Sequence, residues 1–188
     1  YVYNQLGLYF FHLSIPPLII CFIYPITLVI NNVQYSIRSI PFLKIFLISI
    51  VWSYVTVLMP VLYFNLAIDY FTIDIFFQRF LFVLAISLPF DIRDMDVDKI
   101  KTLPNTIGLF YAKLIAWLCL FLIDLMLIIN LINGVITPPF FIALFLVIEL
   151  CSIIIYFTNQ KRSRLFYSIY IESLSIIMYL FVFIASLS

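Results

Sequence analysis

The chain has 188 residues, 66% hydrophobic and 10% charged, with a formal net charge of +1 and a mean hydropathy of +1.22. Soluble globular domains carry about 25% charged residues, so this composition excludes a water-soluble fold. The near-neutral balance also excludes a nucleic-acid partner, which requires clustered Lys and Arg on a water-facing surface.

In a bilayer, a spanning helix needs roughly 20 predominantly apolar residues. Taken in chain order, six runs meet or approach that length, at about 8–30, 45–65, 74–90, 106–130, 138–158 and 166–187. They predict an all-α, polytopic transmembrane helical bundle of about six spans, forming a single domain over residues 1–188, with the third run the shortest. Polar or turn-forming residues separate the runs: Asn31-Asn32 to Lys44, Ala67 to Asp74, Asp91 to Asn105, Asn133-Gly134 to Pro138-Pro139, and Asn159 to Arg164. The chain starts at Tyr1 and enters the first run without a basic leader or a cleavage signal, so upstream sequence is expected to precede it. Cys21, Cys119 and Cys151 each sit inside an apolar run and read as inert buried thiols.

Lys and Arg are retained on the cytoplasmic side of membrane proteins, whereas Asp and Glu contribute little to orientation. Arg38, Lys44, Arg93, Lys99, Lys101, Lys113, Lys161, Arg162 and Arg164 fall in or beside the first, third and fifth connections, and only Arg79 of the 10 basic residues lies on the other side. This bias predicts that the connection after the third run, and the acidic stretch within it, face the cytoplasm.

That stretch, Asp91-Ile92-Arg93-Asp94-Met95-Asp96-Val97-Asp98, is the one concentration of chemistry in an apolar chain. On a helix, the spacing of Asp91, Asp94 and Asp98 places them within about 60° of one another, while Asp96 points away. Like charges at such spacing destabilise a helix by roughly 0.2–0.5 kcal/mol each, so a cation is expected on that face. Hard carboxylate oxygens suit Mg²⁺, which is commonly held by one or two carboxylates plus substrate phosphates. Arg93, Lys99 and Lys101 add the positive charge that a phosphate-bearing substrate needs. The same residues also read as a hydrated loop flanking a span.

Phe90-Asp91-Ile92-Arg93-Asp94-Met95-Asp96-Val97-Asp98-Lys99, followed by Lys101-Thr102-Leu103-Pro104, resembles the second aspartate-rich motif of the UbiA superfamily of intramembrane prenyltransferases. Looser similarity covers Arg38 to Lys44, Trp52 and Pro60, and three runs follow the motif, as in that family. The six runs would then correspond to the last six helices of a nine-helix fold. Two departures are visible. The link Lys99-Ile100-Lys101 is short and lacks the family's glycine, and the first aspartate-rich motif is absent from these residues.

The resemblance implies transfer of a prenyl group from an isoprenyl diphosphate to a lipophilic acceptor, often an aromatic quinone precursor. It implies Asp91, Asp94 and Asp98 as Mg²⁺ ligands, with Asp94 and Asp98 central to catalysis, while proximity and charge make Arg93, Lys99 and Lys101 candidate diphosphate contacts. The absent first motif leaves a second reading open, a non-catalytic UbiA-like membrane protein that binds a cation, a lipid headgroup or a partner.

Charges inside a span are costly and are functional candidates by default. Glu172, near the start of the last run, is a candidate for the same cavity as the motif, and Glu149 and Asp124 would suit a transporter or channel if they faced a polar cavity. His12 is alone, and there is no Ser/His/Asp set, CxxC or glycine-rich phosphate loop. The clustered Asp of a CDP-alcohol phosphatidyltransferase would need Gly and Ala-Arg after the first acidic pair, which are absent. Donor chain length, acceptor and oligomeric state have no signature here.

Overall fold

The computed structural model describes residues 2–30, 33–36, 40, 42–95 and 102–187. Asp98, Lys99 and Lys101, together with Asp96 and Arg38, lie outside the described residues. The chain clusters into two compact units, Tyr1–Val83 and Leu84–Ser188.

In the first unit, α1 (Val2–Ile23) contains Pro16 and Pro17 and is interrupted at Gly7, whose φ of 71° and ψ of 165° suit a residue without Cβ. Its regular part, Gly7–Ile23, is an apolar helix shorter than a span. The first apolar run was expected to continue as helix to about residue 30. Instead the helix stops at Ile23, and β1 (Thr27–Ile30) pairs antiparallel with β2 (Val33–Ser36). The cause is local. Pro25 disfavours helical backbone at the residue before it, and Thr27, Val29, Ile30 and Val33 are β-branched, favouring extended chain.

Helix α2 (Leu43–Tyr63) widens into a π-helical stretch at Tyr54–Leu58, just before Pro60, which has no N–H for the regular ladder. Ile45, Ser49, Ser53 and Val57 recur every four residues and form its buried stripe. The hydroxyls of Ser49 and Ser53 are satisfied by Ile45 O and Ser49 O, both at 2.7 Å, so a small, polar-neutral face can be buried. The Tyr54 hydroxyl donates to Leu13 O of α1 at 2.9 Å. At the other end, Asn65 adopts φ 52° and the Leu66 N–H reaches back to Val61 O at 2.9 Å, closing the helix.

Helix α3 (Tyr70–Arg93) has 24 residues and was expected to be the shortest span. It gains a turn at the start because Asp69 accepts from the Thr72 N–H (2.8 Å) and Oγ1 (2.7 Å). At its other end it runs through the start of the acidic stretch, with the Asp94 N–H still bonded to Phe90 O at 3.1 Å.

In the second unit, α4 (Leu103–Ile107) and α5 (Leu109–Ile132) are separated by Gly108, at φ 88° and ψ 161°. The fourth apolar run is therefore a short helix and then a span. Helix α5 ends at Gly134 (φ 68°), where the Val135 N–H returns to Asn130 O at 2.8 Å. Helix α6 (Pro138–Phe157) begins with two prolines, tolerated in a first turn. Helix α7 (Tyr167–Ala185) opens with a π-helical stretch, Tyr167–Ile171. Helix α6 packs on both α5 and α7. Its buried side carries Ala143, Val147, Cys151, Ile154 and Ile155, while α5 buries Ala112, Ala116, Leu120, Ile123 and Leu127.

Among the described residues, five helices, α2, α3, α5, α6 and α7, are long and apolar enough to cross a membrane. Large apolar side chains remain exposed all along them, such as Ile132 at 78% and Tyr179 at 66%. Water would not tolerate such surface on a monomer. The chain is an all-α, multi-pass integral membrane protein, with the small β1–β2 ribbon as its non-helical element among the described residues.

Candidate functional site

Within the second unit, the end of α3 presents Phe90, Asp91, Arg93 and Asp94. Asp91 is buried at 3% exposure, flanked by Leu88 and Ile92 at 0%, and it is engaged within the protein. Asp94, three residues on, is partly exposed and holds Arg93 in a two-pronged pair, Nε to Oδ1 at 2.7 Å and Nη2 to Oδ2 at 2.8 Å. The guanidinium lies 5.3 Å from the centre of the Phe90 ring and 5.8 Å from that of Tyr167. Two aromatic faces and a carboxylate thus fix the cation in one orientation.

Tyr167 comes from the first turn of α7. It is fully buried, and its hydroxyl donates to Asn159 O at 2.9 Å. The wider π-helical winding pairs the Glu172 N–H with Tyr167 O at 3.4 Å. Glu172 is exposed, and its carboxylate acts electrostatically on Arg93. Arg93, Asp94 and Glu172 therefore belong to one charged locale. Met95 is tied in by two connections, since Asn105 Nδ2 donates to its carbonyl at 3.3 Å and Gln160 Nε2 approaches its sulfur at 3.2 Å. Thr102, at 6% exposure, keeps its Oγ1 buried without a hydrogen-bond partner among the described residues, and such a group is costly unless a partner answers it.

Of the residues singled out in the sequence, Arg93, Asp94 and Glu172 are brought together, Asp91 lies one helical turn before Asp94 and is buried within the protein, and Asp98, Lys99 and Lys101 lie outside the described residues. Among the described residues no group of three His, Cys, Asp or Glu is placed to hold a metal. What these residues offer Mg²⁺ is two carboxylates one helical turn apart, a set that suffices for an ion arriving with substrate phosphates but not for a closed protein cage. Tyr167, Asn105 and Gln160 were not foreseen. Tyr167 is one of 13 tyrosines, and nothing in its sequence neighbourhood distinguishes it.

Elsewhere in the second unit, Asp124 Oδ1 is buried without a hydrogen-bond partner among the described residues, and Glu149, which acts on it electrostatically, is exposed on α6. The first unit contains an apolar cavity of about 710 Å³ between α1 and α2, with Phe10, Leu18, Val55, Met59 and Tyr63 in its lining. Comparison with protein families, curated proteins and solved structures finds no match to this chain.

Proposed function

We propose that this chain carries the diphosphate-binding motif of a membrane-embedded prenyltransferase that moves an isoprenyl group from a prenyl diphosphate to a lipophilic acceptor. The observation that carries the reading is the Arg93–Asp94 pair, held against Phe90 and Tyr167 at the end of a 24-residue apolar helix. A diphosphate headgroup needs a cation and a metal-binding carboxylate together, at a place its apolar tail can reach from the bilayer. An aromatic-quinone precursor is the acceptor class that the sequence resemblance favours. The basic bias of the connections favours a cytoplasmic position for this end of the unit.

Asp91 and Asp94, with Asp98, would hold Mg²⁺, which when bound neutralises charge on the diphosphate and assists its departure. Asp94 is already an oriented acceptor. Arg93 is held beside it by aromatic faces, so its fork can turn from Asp94 to a diphosphate oxygen without losing its stacking. Glu172 keeps a second negative charge near Arg93 when Asp94 is occupied. Phe90 and Tyr167 offer aromatic faces worth about 0.5–2 kcal/mol to a cation, and these hold the Arg93 guanidinium in place. The apolar cavity of the first unit independently suits a lipophilic chain.

The test is turnover. Purified full-length protein in lipid nanodiscs, given a radiolabelled prenyl diphosphate, Mg²⁺ and an aromatic quinone precursor, is expected to release diphosphate and form an organic-soluble product. Asp94→Asn should lower the rate by on the order of 100-fold, the scale for losing one electrostatic partner of the transition state. Turnover unchanged in that variant would remove Asp94 from the chemistry. Absence of turnover with intact Mg²⁺ binding would favour the non-catalytic reading, which the already closed Arg93–Asp94 pair also supports.

A further inference from the structure

The second unit gathers cations that no carboxylate answers among the described residues. Lys113, in the second turn of α5, donates from Nζ to Tyr156 O at 2.8 Å. Arg162 donates from Nε to Phe157 O, the next carbonyl along the chain, at 3.2 Å. Both acceptors sit in the last turn of α6, whose final carbonyls have no partners within the helix. Lys161, beside Arg162, is exposed. None of the three cations has a carboxylate partner among the described residues. Between Glu149 and Glu172 the sequence has Lys161, Arg162 and Arg164 and no acidic residue at all.

Arg162 lies 5.5 Å from the centre of the Phe166 ring, and Tyr156, whose carbonyl Lys113 holds, belongs to an aromatic pair. Trp117, one turn beyond Lys113, stacks on Tyr156 with ring centres 6.4 Å apart and planes 18° apart, and donates from Nε1 to Ser152 O at 3.2 Å. Tyr156 is 63% exposed, and Ile153 and Phe157 continue the exposed apolar surface of α6. Trp and Tyr prefer the headgroup level of a bilayer. A bilayer that covers the exposed face of α6 would place these cations at the depth of its lipid phosphates.

We propose that Lys113, Lys161 and Arg162, with the Trp117–Tyr156 stack, form a binding shelf for the headgroup of an anionic phospholipid of the surrounding bilayer. Lys161 and the outer nitrogens of Arg162 meet the phosphate and the headgroup charge. Lys113, already desolvated against Tyr156 O, lines the inner edge. The aromatic pair lies along the glycerol and upper acyl region. Charge selects an anionic lipid, and the continuity of the shelf with the apolar face of α6 selects a lipid over a soluble phosphate.

Because the chain has two tryptophans, Trp52→Phe leaves Trp117 as a reporter at the shelf. The 188-residue chain carrying Trp52→Phe is reconstituted in phosphatidylcholine vesicles containing graded amounts of brominated phosphatidylglycerol or brominated phosphatidylcholine, and Trp117 quenching is measured. Phosphatidylglycerol is expected to bind about fivefold or more tightly than phosphatidylcholine, since one cation near an anionic surface is worth roughly a fivefold change in partition. The added pair Lys161→Gln and Arg162→Gln should abolish the preference. Lys161→Gln alone, which removes no hydrogen bond from its side chain, should reduce it. Equal quenching by the two lipids, or a preference unchanged in the variants, overturns the proposal. Loss of the preference on adding inorganic phosphate at constant ionic strength would assign the shelf to a soluble anion and overturn it equally.

Discussion

The guanidinium of Arg93 is held by three groups of different chemistry, the Asp94 carboxylate and the rings of Phe90 and Tyr167. As the two charged side chains are 28% and 31% exposed, the pair itself is screened and contributes only about 0–1 kcal/mol to stability. Its value lies in orientation, which Lys cannot reproduce because an ammonium has no fork and stacks poorly. Arg93→Lys should therefore shift the melting temperature little but raise the KM for the prenyl diphosphate about tenfold. Thermal unfolding and steady-state kinetics on the same preparation check this, and a large melting shift with unchanged KM would make Arg93 structural. Asp91, Arg93 and Asp94 were legible because charge in so apolar a chain has few innocent explanations. Tyr167 was not, because its importance comes from the winding of α7 and the position of Asn159 O, neither of which has a local sequence signal.

Element boundaries depend on single residues. Helix α3 extends to 24 residues where the apolar pattern alone marks about 17, because Asp69 caps one end and the acidic stretch continues the helix at the other. Hydrophobicity reports what lipid covers; it does not report where the backbone ladder stops. The hydrogen bonds from the Thr72 N–H and hydroxyl hold the Asp69 carboxyl below the ordinary aspartate range. A depressed carboxylate contributes its stabilisation fully above the unfolded aspartate pKa and loses it as pH falls through the folded value. The first turn of α3 should accordingly fray on acidification below the ordinary aspartate range. Asp69→Asn, still able to cap, should remove that pH dependence. Hydrogen exchange at Thr72 and Ile73 across the acid range checks it, and identical profiles in the two proteins would show that the cap does not titrate. The β1–β2 ribbon was missed for a related reason. Its residues are as apolar as a span, and only Pro25 and the β-branched side chains distinguish them. Gly108 splits the fourth run in the same way, by a backbone conformation that composition does not encode.

At the scale of the molecule, composition alone established a multi-pass membrane protein, because 66% hydrophobic residues leave no other solvent for the exposed faces of five long helices. The side chains that lipid covers need no specific partner, so the pattern that predicts the spans says nothing about which helices meet. The packing of α6 on α5 and α7, and the arrival of Tyr167 beside Arg93, emerge only in three dimensions, whereas Glu172 was already a candidate for that locale from its place near the start of the last run. The central claim is that the α3 end, with Asp94 as a ligand, receives a divalent cation together with a prenyl diphosphate. Electron paramagnetic resonance of Mn²⁺, standing in for Mg²⁺, tests it most directly. With full-length protein in nanodiscs and a non-hydrolysable prenyl thiodiphosphate, about one Mn²⁺ per protein should be immobilised, and Asp94→Asn should weaken that binding at least about tenfold, the lower scale for disturbing a metal site. Glu149→Gln should leave it unchanged. Mn²⁺ binding that is equal in wild type and Asp94→Asn, or that does not respond to the diphosphate, would contradict the account.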